Sequence, residues 1–509
     1  MTHGLLAFST AVTLVGTMVG CGSPLTPEEA PADAPLAEQV AIDGLTADPR
    51  QLAVDQTPGG GTTETGTSAA LSASCELTDN ALRAICTVST DPPGPVRVTF
   101  APVDGSRPAR THDSISFSAT HRVPLYFLTP DTAYEALVTR ADGGAKAATA
   151  QFDTELPPGR YSTMTVDGTS SSPMMGMSSP CSASPVAVVH DTNGDLLWIQ
   201  HMAMTESARM EGVSFTEDQT VLAVLYQGAE LTTLSEVNLE GDQLMWFQQG
   251  VDFDERVHHD AFRKNGLTYA LAHEVLVVEN KQVLLDGVYV FDSKGLVAEW
   301  WLSDDWIPPA SAIPGGIGNA FDLTHANAVW VDDVGDIYVS FRHISSIAKI
   351  TGLGANFGTL QWVIAGSNTP WRNDFGFSDL PDERSGFIRQ HNIHQLATGS
   401  FAIFDNRSSP SEPSRLLVFD LNQPMLEFTA LEAYDLPVHC PFQGGAWFTG
   451  ATNGVGNPVA TCAPERRAYE YELGSTGVGT AAAPVLWEAQ LSCTGAGNTY
   501  VPRFVPLDW

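Results

Sequence analysis

The sequence predicts an all-β protein. We expect a β-propeller of six blades, with seven the alternative count, preceded by a small fibronectin- or immunoglobulin-like β-sandwich. Three observations point this way. From about Arg160 onward, short apolar runs recur with hardly a helical period among them, as at Val186 to Val189, Val221 to Leu225, Val288 to Phe291 and Leu416 to Phe419. Turn pairs join them: Asn193-Gly194, Glu240-Gly241, Asn265-Gly266 and Lys294-Gly295. An aromatic strand closes each unit, at Trp198, Trp246-Phe247, Trp300-Trp301, Trp362, Phe428 and Trp487. The unit is roughly 40 to 50 residues, a blade length.

The chain has 509 residues, enough for a large core and a second module. It carries 25 Lys and Arg against 59 Asp and Glu, a net charge of −34. Nucleic acid and an anionic bilayer surface would repel it. An anionic substrate would need a local cationic pocket.

Residues 1–21 read as an export signal. Leu5 to Val19 is an apolar core, and Met18-Val19-Gly20-Cys21 resembles the lipobox that precedes a lipidated cysteine. The expected location is the cell envelope after export, with Cys21 as lipid anchor and no other membrane contact. An ordinary secretory signal or a weak membrane anchor is the alternative, and the stretch before the core has no Lys or Arg. Residues 22–69 form a linker rich in Pro, Ala, Glu, Gly and Thr, without an aromatic residue. Such a stretch cannot bury enough surface to offset its ordering entropy.

Residues 70–156 are expected to form the sandwich. Alternating runs occur at Val96 to Phe100, Ser114 to Ser118, Val123 to Phe127 and Tyr134 to Thr139. Leu128 to Tyr134 resembles the tyrosine corner of fibronectin type III domains, although no Trp lies in this region. Residues 160–509 are assigned to the propeller. Besides Cys21 there are six cysteines, an even number in an exported chain, which favours disulfides. Cys75 and Cys86 suit a hairpin, Cys440 and Cys462 would close one blade, and Cys181 and Cys493 would join the propeller's ends. This is one of the fifteen pairings that six cysteines allow. No pair has the Cys-x-x-Cys spacing of a metal site.

The chemistry concentrates between Asp322 and Asn406. Thr324-His325-Ala326-Asn327, Ser340-Phe341-Arg342-His343, Gln390-His391-Asn392 and Phe404-Asp405-Asn406 each stand at the end of a strand-like run. Those runs are Ala328 to Val331, Asp336 to Phe341 and Ser400 to Phe404. Residues at strand ends of a propeller face one shared mouth.

These motifs resemble the bacterial arylsulfotransferases that use no nucleotide sulfate donor. The likeness lies in His325-Ala326-Asn327, Ser340-Phe341-Arg342 with Ile347-Ala348-Lys349-Ile350, Gln390-His391-Asn392 and Phe404-Asp405-Asn406-Arg407. His258-His259-Asp260 and Tyr500 with Arg503 extend it over roughly residues 160 to 509. Two positions depart from the pattern: Asn392 replaces an Asp, and Arg407 replaces a Gly. The resemblance implies a nucleophilic His391 that becomes a sulfohistidine. It also implies sulfuryl-binding or acid–base roles for His259, His325, Asn327 and Arg342, with Tyr500 lining the site. Substrates would be an aryl sulfate donor and a phenolic acceptor, with no cofactor and no metal. The residue types suit that chemistry: a sulfuryl group spreads charge over three oxygens, so planar and cationic donors dominate. A neutral imidazole can attack sulfur, and a second can move the phenol proton. Two other classes compete. Three histidines could hold Zn²⁺ as a hydrolase site, against which Arg342 argues. A non-catalytic surface propeller could bind a ligand through His258-His259, Trp306 and Trp371.

Overall fold

A computed structural model of the protein describes residues 70–144, 146–181, 184–202, 208–227, 231–302, 320–366, 372–377, 386–450, 456–475, 483–494 and 503–509. Cys21, the linker, Trp306, Trp371 and Tyr500 lie outside these. The described residues are all-β, arranged in several sheets without a helix.

Two sheets come from the N-terminal module. Ala70–Leu77, Ala84–Asp91 and Thr120–Leu125 form one, and Arg110–Ser114, Val96–Pro102, Ala133–Arg140 and Ala147–Asp153 form the other. Ala84–Asp91, Val96–Pro102 and Ala133–Arg140 alternate buried with more exposed residues, and the buried set of both sheets meets in one core that includes Val88, Val98, Phe100, Leu125 and Val138. The Tyr134 hydroxyl accepts the Thr129 backbone N–H at 2.8 Å. The strand expected at Ser114 to Ser118 is a correction: the strand is Arg110–Ser114, and Ile115 and Phe117 are exposed beyond it. The alternation is present there, but pairing with Val96–Pro102 ends at Ser114.

The remaining residues form six further sheets, each built on an antiparallel meander of four strands. Their innermost strands are Ala208–Phe215, Arg256–Lys264, Ala326–Val331, His391–Gln395, Gly445–Phe448 and Phe504–Leu507. Each contacts the next, and the last contacts the first, so the six close into a ring. Six apolar clusters fill the spaces between neighbouring sheets. Removing a large aliphatic side chain from such a core costs about 2–5 kcal/mol. The aromatic residues read as unit ends lie on the strands that complete each meander, among them Leu196–His201 and Val485–Cys493. Trp198 and Trp487 are fully buried, yet each indole N–H reaches a carbonyl of an adjoining sheet, Leu239 and Thr192, at 3.0 Å.

The first and last strands of the ring segment tie it shut. Ser162–Gly168 pairs with Val485–Cys493, and Phe504–Leu507 pairs with Met174–Ser178. The expected disulfides are all formed: Cys75–Cys86, Cys440–Cys462 and Cys181–Cys493, the last joining residues 312 apart at this seam. The Asn265-Gly266 turn also forms as expected. Both residues have positive φ, 52° and 76°, which suits the tight turn of a two-residue hairpin.

Side-chain links between the N-terminal module and the ring include an amide, a guanidinium and an ion-pair contact. Asn80 donates to the Ile199 carbonyl at 2.6 Å, Arg83 donates to Gln200 Oε1 at 3.0 Å, and Arg107 pairs with Asp191 and Asp195.

Candidate active site

The predicted residues sit where four successive innermost strands lose register. The ladder skips Glu211 in the first, His258 to Asp260 in the second, Asn327 in the third and Asn392 in the fourth. A bulge leaves its extra residue unpaired and re-aims the side chain. His259, His325 and Asn392 adopt positive φ, 53°, 53° and 51°, a conformation that is uncommon for residues with a Cβ. The facing strand accommodates this with Gly212, where a Cβ would lie 2.2 Å from the His259 carbonyl oxygen.

Residues beside the histidines hold the bulges together. Asp260 Oδ2 accepts the Val329 N–H of the next sheet at 3.1 Å. Asn392 Oδ1 accepts the Ala446 N–H of its next sheet at 2.8 Å. Both positions need an acceptor oxygen, which a carboxamide supplies as well as a carboxylate, so Asn392 keeps the bridging contact. Arg407 has φ of 61°, a conformation that a glycine adopts without strain. Its guanidinium turns to Glu412 and Asp405.

His391 is buried and held at both nitrogens. Nδ1 lies 2.6 Å from Asn406 Oδ1, and Nε2 accepts the Gln443 N–H at 3.2 Å. Asn406 Nδ2 donates to the carbonyls of Cys440 and Gln443, both at 2.7 Å. Its donors are therefore spent, and its oxygen must take the Nδ1 proton. That fixes the tautomer and leaves the lone pair on Nε2. Burial pushes the His391 pKa down to about 3; the Asn406 bond opposes this, while Arg342, Arg503 and His325 add to it. The ring is thus neutral at ordinary pH.

Arg342 follows the strand Ile337–Phe341, and its backbone N–H donates to the His325 carbonyl at 3.0 Å. Among the described residues its guanidinium has one hydrogen bond, to the Pro441 carbonyl at 3.4 Å, and a buried Nε without a partner. Burial and the neighbouring Arg389 lower its pKa. A guanidinium held without a paired carboxylate is ready for an anion. Asn327 donates one amide hydrogen to the Gln390 carbonyl at 2.7 Å and keeps a second. Arg503 bonds Asp260 at 2.6 Å and the Asn327 carbonyl at 3.2 Å, so it braces two bulges.

The histidines form a continuous row. Ring centroids are 4.7 Å apart for His273 and His258, 5.0 Å for His258 and His259, 4.6 Å for His259 and His325, and 4.4 Å for His325 and His343. Carboxylates stand at both ends. Asp286 lies 3.2 Å from His258 Nε2, and Asp322 bonds His325 Nδ1. A two-residue parallel bridge, Phe321–Asp322 against Val283 and Leu284, brings Asp322 there. Burial, then neighbouring positive charge from His258 and Arg503 among others, hold His259 well below the ordinary imidazole range.

Two groups have donor types a dication could use: Asp322, His325 and His343, and His258, His273 and Asp286. Arg342 is the sequence neighbour of His343 and its charge acts on that ring, which disfavours a dication in the first group. In the second, both His258 nitrogens already face partners, Asp286 and His259. We assign no metal to either.

The structure thus brings His259, His325, Asn327 and His391 to one side of neighbouring inner strands, with Arg342 at the adjoining end of Ile337–Phe341, while Tyr500 lies outside the described residues. A cavity of about 600 Å³ lies at the opposite ends of these strands, lined by Phe215, Phe262, Trp330, Trp447 and Trp509 among others, and contains none of the five. Sequence reasoning gave no role to Asn406, Gln443, Asp286 or Asp322. Only Asn406 carried a signal, as the last residue of a motif strand.

The comparisons agree with the motifs. The family profile described as Arylsulfotransferase (ASST) matches residues 161–422. No curated protein matches the chain. Similar solved structures include a streptogramin B lyase, 10% identical, covering 65% of this chain and 98% of that one with a TM-score of 0.35. Another is the periplasmic gluconolactonase PpgL of Pseudomonas aeruginosa, 8% identical, covering 79% and 99% with a TM-score of 0.35. A protein of unknown function from Bacteroides caccae is 8% identical, covering 69% and 100% with a TM-score of 0.32. Likenesses this distant say nothing of activity. The profile spans just over half of the chain and contains His259, His325, Asn327, Arg342 and His391, and the protein belongs to the arylsulfotransferase family.

Proposed function

We propose that the protein moves a sulfuryl group from an aryl sulfate to a phenol by two displacements through a sulfohistidine at His391. Family membership supports aryl sulfotransfer with small aryl donors and phenol acceptors. The observation that carries the finer reading is the pairing of a neutral imidazole, with Nε2 unprotonated, and a guanidinium that has no carboxylate partner among the described residues. In the first displacement the Gln443 N–H releases Nε2, whose lone pair attacks sulfur, and the aryl oxygen leaves. Nδ1 keeps its proton, since a carboxamide accepts but does not take it, so the adduct is an imidazolium and gives up the group readily. Arg342, Asn327 and, once it has left Nε2, the Gln443 N–H would donate to the sulfuryl oxygens. In the second displacement the acceptor oxygen attacks sulfur and the electron pair returns to Nε2.

The proposed frame is a six-bladed propeller, residues 160–509, behind a fibronectin-type sandwich, residues 70–156. The closed ring of six sheets and the Tyr134 contact support it. The decisive experiment supplies 4-nitrophenyl sulfate and a phenol to purified protein, with elemental analysis in parallel. Sulfuryl transfer is expected without bound metal and without added nucleotide, and it should survive a chelator. Loss in chelator restored by Zn²⁺ would favour the metal-hydrolase reading, and no turnover at all the ligand-binding one.

Residues 1–21 and 22–69 are proposed as a lipoprotein signal and a tether, on the strength of Met18-Val19-Gly20-Cys21 after an apolar core. The mature chain should then begin at a lipidated Cys21 in the cell envelope. Mass spectrometry of the N-terminal peptide checks this, and an unmodified start elsewhere refutes it.

A further inference from the structure

We propose that His258 and Asp286 form a proton store behind His259, so that the adjacent histidines act as one acid–base unit during sulfuryl transfer. The inference rests on the sulfotransferase reading above and adds two residues to which that reading gives no part.

The geometry is a buried chain. Asp286 Oδ2 accepts the Ala326 N–H at 2.8 Å and also the Thr324 hydroxyl, which fixes the carboxylate. Its Oδ1 lies 3.2 Å from His258 Nε2. His258 Nδ1 lies 2.8 Å from His259 Nδ1. Two imidazole nitrogens at that distance share one proton: one must donate and the other accept. His259 Nε2 has no hydrogen-bond partner among the described residues, and its ring stands edge-on against His325. The His259 backbone is pinned separately, its N–H donating to Glu211 Oε2 at 3.0 Å.

The shared proton sets what His259 presents to substrate. When it resides on His258, that ring is an imidazolium ion-paired with Asp286 at 3.2 Å, and His259 carries its own proton on Nε2. As the aryl S–O bond breaks and the His391 N–S bond forms, the leaving oxygen takes the Nε2 proton. His259 Nδ1 then takes the proton of His258 Nδ1, and His258 is left neutral, its remaining proton on Nε2 beside Asp286. In the second displacement the acceptor phenol gives its proton to His259 Nε2, and the Nδ1 proton returns to His258. The phenol oxygen bonds sulfur, the N–S bond breaks, and the starting state is restored with no proton gained or lost. His259 is the group that would touch substrate. His258 and Asp286 act through it as positioning residues.

The charges around the pair agree. Burial opposes protonation of His258, but Asp286 outweighs it and, with Glu211, holds the ring above the ordinary imidazole range. His259 is held well below that range. The groups facing His258 are Asp286 from Lys281–Asp292, His273 from Leu267–Val278, Glu211 from Ala208–Phe215, His259 beside it and Asp322.

The test compares leaving groups. 4-Nitrophenolate departs without a proton, whereas phenolate needs one. Single-turnover phenol release from phenyl sulfate should fall about 10²-fold or more in His258→Gln, within the range of general-acid effects. Release from 4-nitrophenyl sulfate should fall at least tenfold less. Asp286→Asn should show the same split, which guards against one variant folding poorly. As a second readout, ¹⁵N spectra of histidine-labelled wild type near neutral pH should contain one doubly protonated ring that Asp286→Asn converts to a neutral one. An equal loss with both esters would mark a purely structural effect and overturn the proposal, as would no loss with either. A wild type that transfers no sulfuryl group overturns the parent reading and this one together. An active wild type whose variants lack the split overturns only this one.

Discussion

His391→Gln is expected to fold like the wild type and to release no phenol from an aryl sulfate, even in a single turnover. The replacement carboxamide can still donate towards Asn406 Oδ1 and accept the Gln443 N–H, so the local hydrogen bonds have substitutes. It has no nitrogen lone pair able to attack sulfur. Loss of a nucleophile that acts as part of a unit is worth roughly 10⁴-fold or more in rate, or about 5 kcal/mol. Donor binding through Arg342 should remain. In the wild type, brief incubation with donor alone should add one sulfuryl group to the peptide containing His391. Mass spectrometry at alkaline pH, where an N–S adduct survives, checks this. Turnover of His391→Gln near the wild-type level would remove His391 from the nucleophile role. The nucleophile needs no deprotonation step, because its pKa is pushed to about 3. The same shift has a stability consequence. An unfolded histidine gains a proton below about pH 6.5 while the folded ring does not. The contribution of His391 therefore stands above that pH and declines as pH falls towards 3.

Much of this site was legible in the sequence because bulged strand ends collect unusual side chains. His325, Asn327, Arg342 and His391 stood out as polar clusters at the ends of strand-like runs, and the family resemblance added His259 and implied each role. Their convergence follows from the ring, and the repeat of aromatic strands announced that. What stayed hidden depends on contacts across long separations. Asn406 orients His391 only because its amide hydrogens are taken by Cys440 and Gln443, which lie in a later segment. Asp322 reaches His325 through a two-residue parallel bridge that carries no periodic signal. The innermost strand Phe504–Leu507 contains Pro506 and is too short to read as a central strand, yet it closes the ring. The strand misplaced at Ser114 to Ser118 failed for the opposite reason, since alternation was visible there but no partner strand lay beside it. Asn392 looked like a defect in the motif. Its contact to Ala446 shows that the position needs an acceptor, the part Asp260 plays towards Val329.

Arg342→Lys should lower sulfuryl transfer by about 10²- to 10³-fold, or roughly 3–4 kcal/mol, the scale of removing one oxyanion donor. The substitution keeps the charge, so a purely electrostatic role would survive it. A planar fork would not, because an ammonium cannot place two parallel donors on a sulfuryl group. The surroundings sharpen the contrast. Arg342 has a buried, unpartnered Nε and a second guanidinium, Arg389, close enough to lower its pKa. Free of substrate, this cluster of positive charge is unfavourable, and it stands in a chain with a net charge of −34. An anion bound there relieves that repulsion, which gives the donor ester a favourable landing site. Lysine in place of Arg342 should therefore preserve much of the donor affinity and lose rate at the chemical step. Single-turnover phenol release at saturating donor separates the two. Near-normal release at saturation with weakened binding would assign Arg342 to donor capture alone, and the stabilisation of the moving sulfuryl group would then fall to Asn327 and the Gln443 N–H.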